Sequence, residues 1–345
     1  MPESKSDGGL SRRTLLRSAG IAGIGLSAGG LALGSGARPL AQTVGAKPPL
    51  RRLTVAWSQS SACHAPLAFG QRTGIFARHG LEIELVNFSA SHTELLTLIA
   101  TGKADAGIGL LQGWLKPLEQ GFDVKLVAGT HGGCLRLLAP AGGITRVEEL
   151  KGKAIAVAAL TSPAKEAFVV TLARAGLDPE RDVTWKVFPG DLLSLALSKG
   201  EAQAIAHYDP EAYRFRKEGL VEIASNQTGL YEKRTCCVVG ATGALLKSDK
   251  AVVRALVEAV AEVHQYTADH PEEIARHYLD TFKPKIGFDD LREQLASLAY
   301  HHHPIGAALQ RELVAAIEDL KLVKVLRAST DPQAFARQIS ADVFA

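Results

Sequence analysis

The sequence lacks the signatures on which several enzyme classes depend. It has no strand–turn–helix nucleophile elbow, no phosphate-cradling glycine loop and no His-Glu-x-x-His pattern. Those absences set aside serine hydrolases, P-loop nucleotide enzymes and zincin proteases. It has no basic patch or nucleic-acid motif, so no nucleic-acid partner is expected. Beyond residue 41 no segment carries 18 uninterrupted apolar residues, so that part offers no membrane-spanning helix. Cysteine is scarce, at four among 345 residues. What is present is a 46% hydrophobic, 22% charged composition, which excludes a disordered or collagen-like chain. The length suits about two domains with sizeable cores.

The charge is unevenly placed. The whole chain carries +3 from 39 basic and 36 acidic residues. Residues 1–41 hold five basic residues (Lys5, Arg12, Arg13, Arg17, Arg38) and two acidic ones (Glu3, Asp7), which leaves 34 of each sign beyond them. In the same segment Arg12-Arg13 precede Leu15-Leu16, an uncharged stretch runs from Ala19 to Gly36, and small residues surround Ala37 and Ala41. Seven of those eighteen uncharged residues are glycine, too weakly apolar for a good anchor. Basic, apolar and small-residue regions in that order predict an export signal over residues 1–41 and a periplasmic location; the arginine pair resembles the twin-arginine type. With the signal removed the chain is electrically balanced, so attraction for a charged solute must come from local groups.

The remainder alternates strand and helix signals. Strands are predicted over 53–57, 81–86 and 104–110, with helices from Pro66 to about His79 and from the capping box Ser91–Glu94 to Thr101. The same order recurs: strand 154–158, a helix opened by Thr161-Ser162-Pro163, strand 183–188, helix 192–198 and strand 204–206. Gly102–Gly109 aligns on Gly200–His207. Repeated βα units predict two α/β lobes, each a mainly parallel sheet flanked by helices. Residues 247–345 are mainly helical, with Ser248 as a predicted cap and an apolar stripe from Val252 to Val263. That tail is expected to cover the first lobe.

Ligands of open parallel sheets bind beyond the carboxyl ends of strands, where helix N-termini also point. The loops there contain Ser60, Cys63, His64, Gln112, Trp114, His131, Cys134, Thr161, Ser162, His207, Tyr208, Asp209 and Cys236. All four cysteines fall on or near these loops. A disulfide through Cys63 or Cys134 and buried free thiols are both open at this point. So is a metal site built from Cys63, His64, His131 and Cys134, against which stands the opposite facing of neighbouring side chains in an extended Cys63-His64 segment. A cysteine nucleophile beside His64 or His131 is a further alternative. His301-His302-His303-Pro304 reads as a helix-end loop.

Gly74-Ile75-Phe76, Gly80-Leu81-Glu82-Ile83, Gly102-Lys103-Ala104-Asp105-Ala106, Gly152 to Val157 and Ala175 to Pro179, with the signal and the repeat, resemble the nitrate/sulfonate/taurine/bicarbonate group of ABC-transporter substrate-binding proteins. The resemblance covers roughly residues 53–280. It implies a type II periplasmic-binding-protein fold whose first lobe is 42–136 plus 236–345 and whose second is 137–235, joined by crossings near Cys134–Pro140 and Glu232–Gly240. It implies a monomer that captures a small, anionic sulfonate-, carboxylate- or nitrate-like solute by lobe closure and delivers it to a membrane ABC permease. It implies no enzyme activity and no cofactor, with a pyrimidine-synthase-like enzyme as the alternative on the same fold. Thr161-Ser162 and Leu110–Gly113 would then meet the solute from the two lobes, and His207-Tyr208-Asp209 would face it. Arg136, just past Cys134, is placed either to neutralise an anionic ligand or to form a surface salt bridge. Cys63-His64 and His131–Cys134 depart from the general pattern of that group.

Overall fold

The computed structural model describes residues 49–89 and 91–345; the predicted export segment lies outside the described residues. Among those residues no helix is long and apolar enough to cross a membrane.

The chain first lays down β1 (Arg51–Trp57), α1 (Ala65–Arg72), α2 (Ile75–Arg78), β2 (Leu81–Asn87), α3 (His92–Ala100), β3 (Ala106–Leu110), α4 (Leu111–Glu119) and β4 (Val124–His131). It then passes to β5 (Leu135–Pro140), β6 (Lys153–Val157), α5 (Pro163–Arg174), β7 (Val183–Val187), α6 (Leu193–Ser198), β8 (Ala204–Tyr208), α7 (Glu211–Lys217) and β9 (Leu220–Ser225). β10 (Cys237–Thr242) and six helices follow: α8 (Gly243–Ser248), α9 (Lys250–Asp269), α10 (Pro271–Phe282), α11 (Phe288–Ala296), α12 (Gly306–Leu322) and α13 (Pro332–Ile339).

Two five-stranded sheets result, in the orders β2-β1-β3-β10-β4 and β7-β6-β8-β5-β9. The two orders are the same pattern, with β6, β7, β8 and β9 in the places of β1, β2, β3 and β4. The aligned Gly-x-Ala segments fall on equivalent strands, Ala106 opening β3 and Ala204 opening β8. In each sheet the fourth place is filled by an antiparallel strand that arrives from the other lobe: β10 lies between β3 and β4, and β5 between β8 and β9. Strand–helix alternation reveals β1–β3 and β6–β8. It does not reveal β4, β5, β9 and β10, because no α-helix separates β4 from β5 or β9 from β10.

Local chemistry explains most boundaries. Ser162 caps α5 by accepting the Lys165 N–H at 3.3 Å, with Pro163 at the first helical position. The Ser91 hydroxyl caps α3 through the Thr93 N–H, while Glu94 reaches back to the Ser89 N–H, one arm of the box shifted outward. Two predicted details differ. The helix expected from Pro66 to His79 is split into α1 and α2 at Gly74, whose φ of 75° breaks the right-handed run. Ser248 ends α8, and the cap of α9 is Asp249, which accepts the Val252 N–H at 3.0 Å.

The stripe of α9, from Val252 through Val263, is buried. Helices α9, α12 and α13 all pack on β4, so the tail covers the first sheet, and α12 also reaches α5 of the second lobe. One continuous buried cluster draws on both sheets, from Val55 and Ile108 to Ile155 and Ala206.

Gly113 sits inside α4, where alanine would ordinarily gain up to ~1 kcal/mol of helix propensity. A Cβ there would overlap the buried His92 ring. Overpacking of this kind costs about 1–3 kcal/mol, so Gly113→Ala is expected to lower stability in a urea titration. A stability gain would show that His92 moves freely out of the way.

Candidate functional site

The carboxyl ends of β1, β3, β4 and β8 meet the start of β10 between the lobes. β1 ends at Trp57, and a single 3₁₀ turn over Ala62–His64 buries Cys63 and His64. The Ser58 N–H donates to His64 Nδ1 at 3.0 Å and fixes that ring. The short helical turn, rather than an extended strand, lets Cys63 and His64 face the same cluster. This removes the geometric objection raised by an extended reading.

His131 closes β4, and its Nδ1 is hydrogen-bonded to the Gly132 carbonyl. Only Gly132, Gly133 and Cys134 separate β4 from β5. On the return crossing the Cys236 N–H donates to the His131 carbonyl at 2.8 Å, and the Cys236 carbonyl accepts from the Leu111 N–H at 2.9 Å. The β10 ladder is irregular between Cys237 and Val238. Such an irregularity re-aims side chains locally, and here Cys236 and Cys237 both reach the cluster.

All four cysteines are buried free thiols. Cys134 Sγ lies 3.6 Å from Cys63 Sγ and 3.9 Å from Cys236 Sγ, far beyond a disulfide bond of about 2.05 Å. The Cys63–Cys134 disulfide is therefore not formed. The four line one cavity of about 40 Å³ with His64, His92, Phe88, Pro163 and Tyr208. One water needs roughly 10–15 Å³ by this measure, so the cavity has room for a single ion or roughly three to four waters.

The thiols differ in acidity. Hydrogen bonds from the Cys134 and Cys237 thiols hold Cys63 well below the usual thiol range, and the same two partners lower Cys236. Cys134 and Cys237, as donors, are raised. Burial opposes charge on His131, but the Cys63 and Cys236 thiolates outweigh it and lift its pKa to about 9. Burial lowers His64, with the Cys63 thiolate opposing, and burial takes His92 to about 4.

The other predicted residues divide. Tyr208 closes the cavity from the second lobe, its hydroxyl 3.3 Å from Ser60 Oγ of the first. Thr161 meets Ser91 across the same gap at 3.4 Å between hydroxyl oxygens. Ser162 is buried as a helix cap. Gln112 and Thr161 line a separate, wider opening of about 330 Å³ between α4 and α5, together with Lys116, Lys165 and Glu166. Burial raises Glu166 there to about 8.

Trp114 does not line the inner cavity: it is fully buried in the core, its indole N–H 3.4 Å from the Gly109 carbonyl. His207 lies behind Tyr208, between it and Phe215. Asp209 faces no solute, because it accepts two hydrogen bonds from Arg136 at 2.9 and 3.0 Å with both side chains buried. Arg136 also donates to Glu222 at 2.5 Å, which removes it as a cation for an anionic ligand. His302 and His303 sit in the loop after α11, bonded to Glu312 and to the Gly129 carbonyl. Cys237 is the cluster member that sequence reasoning left off the site. Strict alternation along a strand would turn it away from Cys236, and nothing in the sequence marks the irregularity.

The family described as NMT1/THI5 like matches residues 61–274. No curated protein matches the chain significantly in sequence. Among solved structures, the alkanesulfonate-binding protein SsuA from Xanthomonas axonopodis pv. citri, bound to MOPS, is similar at TM-score 0.67 and 15% identity, over 81% of this chain and 96% of that one. The periplasmic nitrate-binding protein NrtA from Synechocystis PCC 6803 is similar at TM-score 0.68 and 15% identity, over 84% and 86%. A Candida albicans protein, CA3427, with the generic periplasmic binding protein fold, is similar at TM-score 0.67 and 19% identity, over 84% and 96%. These likenesses establish the two-lobed periplasmic-binding-protein fold.

Two outcomes follow from the buried charges. Arg136→Met leaves Asp209 without its cation, and removing one partner of a buried pair costs about 3–5 kcal/mol; urea unfolding reads the loss. His92 and His207 both titrate near 4 in the folded chain, His207 through burial with Arg214 opposing its charge, against about 6.5 unfolded. Their contribution to stability is therefore complete above pH 6.5 and lost on acidification toward 4. In that window they contribute a slope of up to about 3 kcal/mol per pH unit. The double variant His92→Gln/His207→Gln is expected to flatten the acid limb of the stability–pH curve.

Proposed function

The chain belongs to the NMT1/THI5-like family, and on that premise we propose that it is the exported, periplasmic solute-binding component of an ABC importer. The observation that carries the reading is a small cavity walled by both lobes and lying where the chain crosses between them. Ser58, Cys63, His64 and His92 come from the first lobe, and Pro163 and Tyr208 from the second. The lobes are bridged at its rim by Ser60–Tyr208, Ser91–Thr161 and the Ala62 N–H to the Asp209 carbonyl at 3.3 Å. These rim bridges are polar, as are the ion pairs Arg174–Asp319 and Lys217–Glu293 that also join the lobes, and polar contacts can be exchanged for water when an interface opens. Closure about residues 132–134 and 226–236 would bury the solute and present a closed form to a membrane permease. Binding needs no chemistry. The export signal predicted over residues 1–41 supports delivery to the periplasm, and the structures similar in fold include sulfonate- and nitrate-binding proteins.

An enzyme on the same fold is the second reading. It draws on the lowered Cys63 thiol beside His131. Against it, Cys63 is 2% exposed and the cavity beside it is about 40 Å³, which admits no organic substrate in this arrangement.

The test is native mass spectrometry of the protein taken from the periplasmic fraction, paired with thermal melting. One equivalent of a small co-purifying species is expected, and its return to stripped protein at 100 times Kd should add about 2.7 kcal/mol of stability. A protein that carries nothing from the cell and gains no stability from any solute contradicts the proposal.

A further inference from the structure

The inner cavity has a chemistry that an organic anion does not explain. No lysine or arginine side chain stands on its wall. Arg136, the nearest buried cation in the sequence, is tied to Asp209 and Glu222. The wall instead carries four sulfurs and the imidazoles of His64 and His92, and a third imidazole, His131, has a donor nitrogen within 4.8 Å of donor atoms of Cys63, His64 and Cys237. Donor atoms of Cys63, His64, His131 and Cys237 all lie within 4.8 Å of one another, and all four residues are buried. The Nε2 atoms of His64 and His131 are buried without a hydrogen-bond partner.

We propose that the solute is a thiophilic d¹⁰ cation, zinc(II) or copper(I), held by Cys63, His131 and Cys237 with His64 as the fourth donor. This rests on the solute-binding reading above and names the class of its solute.

The donor set and its spacing carry the inference. Two sulfurs and two imidazole nitrogens are the shell that tetrahedral zinc takes, and thiolates select copper(I) as well. Metal–sulfur bonds of about 2.3 Å and metal–nitrogen bonds of about 2.0–2.1 Å give donor–donor edges of roughly 3.3–3.8 Å. Contracting from the observed limit of 4.8 Å to those edges therefore takes movements of roughly 1–1.5 Å at most. His131 is prepared for the task. Its Nδ1 is committed to the Gly132 carbonyl, the outer-shell arrangement usual for ligating histidine, so a metal would bind at Nε2 and displace the proton there. His64 is less prepared. Its Nδ1 accepts the Ser58 N–H, so ligation through Nε2 requires the proton on Nδ1 and surrenders that hydrogen bond.

The thiolates of Cys63 and Cys237 balance zinc(II), so the zinc shell itself is neutral, while the copper(I) shell carries one negative charge. Placement suits a cargo. Cys63 and His64 follow β1, His131 ends β4 and Cys237 opens β10, so all four donors belong to the first lobe. Tyr208 and Pro163 of the second lobe cover them, and opening the lobes would uncover the ion without breaking its shell in two.

The experiment uses the reduced, metal-stripped chain in separate titrations: zinc(II) against a chromogenic chelator, and copper(I) against bicinchoninate. At least one ion is expected to bind with one equivalent and to raise the melting temperature; the two arms say which. Cys63→Ser and Cys237→Ser should each weaken binding by roughly 100-fold or more, beyond the 10–100-fold typical of an outer-shell partner. His131→Ala should cost more than His64→Ala. Circular dichroism confirms that each variant is folded. As a readout independent of folding stability, cobalt(II) in the wild-type chain should give the intense visible bands of a tetrahedral thiolate site, lost in Cys63→Ser. Binding of neither ion, or binding by folded Cys63→Ser and Cys237→Ser as tight as wild type, overturns the proposal. If neither ion binds while an organic solute raises the melting temperature, the cation falls and the solute-binding reading stands. If no solute of either kind does so, both fall.

Discussion

Each sheet is incomplete until the chain crosses from the other lobe. The places between β3 and β4, and between β8 and β9, are filled only by β10 and β5, and a sheet with an open central place leaves backbone donors and acceptors unpaired. The crossings are therefore fixed to a few residues and to particular hydrogen bonds. Cys236 is held to His131 and Leu111 through its N–H and carbonyl, and the Cys134 carbonyl accepts the Asp209 N–H at 2.9 Å. The sulfurs of Cys134 and Cys236 come within 3.9 Å because the backbone brings them there. The cavity is a consequence of the strand exchange.

The second constraint is charge. The site lies in a region where an unpaired ion costs several kcal/mol, and every charge near it has an answer. Asp209 is met by Arg136, and Arg136 is met again by Glu222. The lowered thiols of Cys63 and Cys236 are met by neighbouring thiol donors and by His131. What remains without a hydrogen-bond partner is the Nε2 atoms of His64, His92 and His131, beside four sulfurs. That remainder fits a soft cation and gives an anion no side-chain charge to bind.

The fold was legible where it depends on local chemistry. Caps at Ser91 and Ser162, glycine stops, and the apolar stripe of α9 each leave a mark within a few residues. The repeat was legible because Gly102–Gly109 and Gly200–His207 build equivalent strands. The lent strands were not, since their pairing is set by partners about 100 residues away. The site was half legible for the same reason. Topology singled out the loops that hold Cys63, His64, His131, Cys134 and Cys236, and these do converge. Trp114, His207 and Asp209 sit on the same loops, but their side chains turn into the core or into an ion pair. Cys237 joins the cluster through a ladder irregularity that residue identity does not announce.

The most direct measurement is anomalous X-ray diffraction at the zinc and copper edges from crystals of the protein isolated with its solute. The account predicts one anomalous peak in the inner cavity, about 2.3 Å from the sulfurs of Cys63 and Cys237 and about 2.0–2.1 Å from a nitrogen of His131. An organic molecule in the cleft, with no anomalous peak among these side chains, would contradict it.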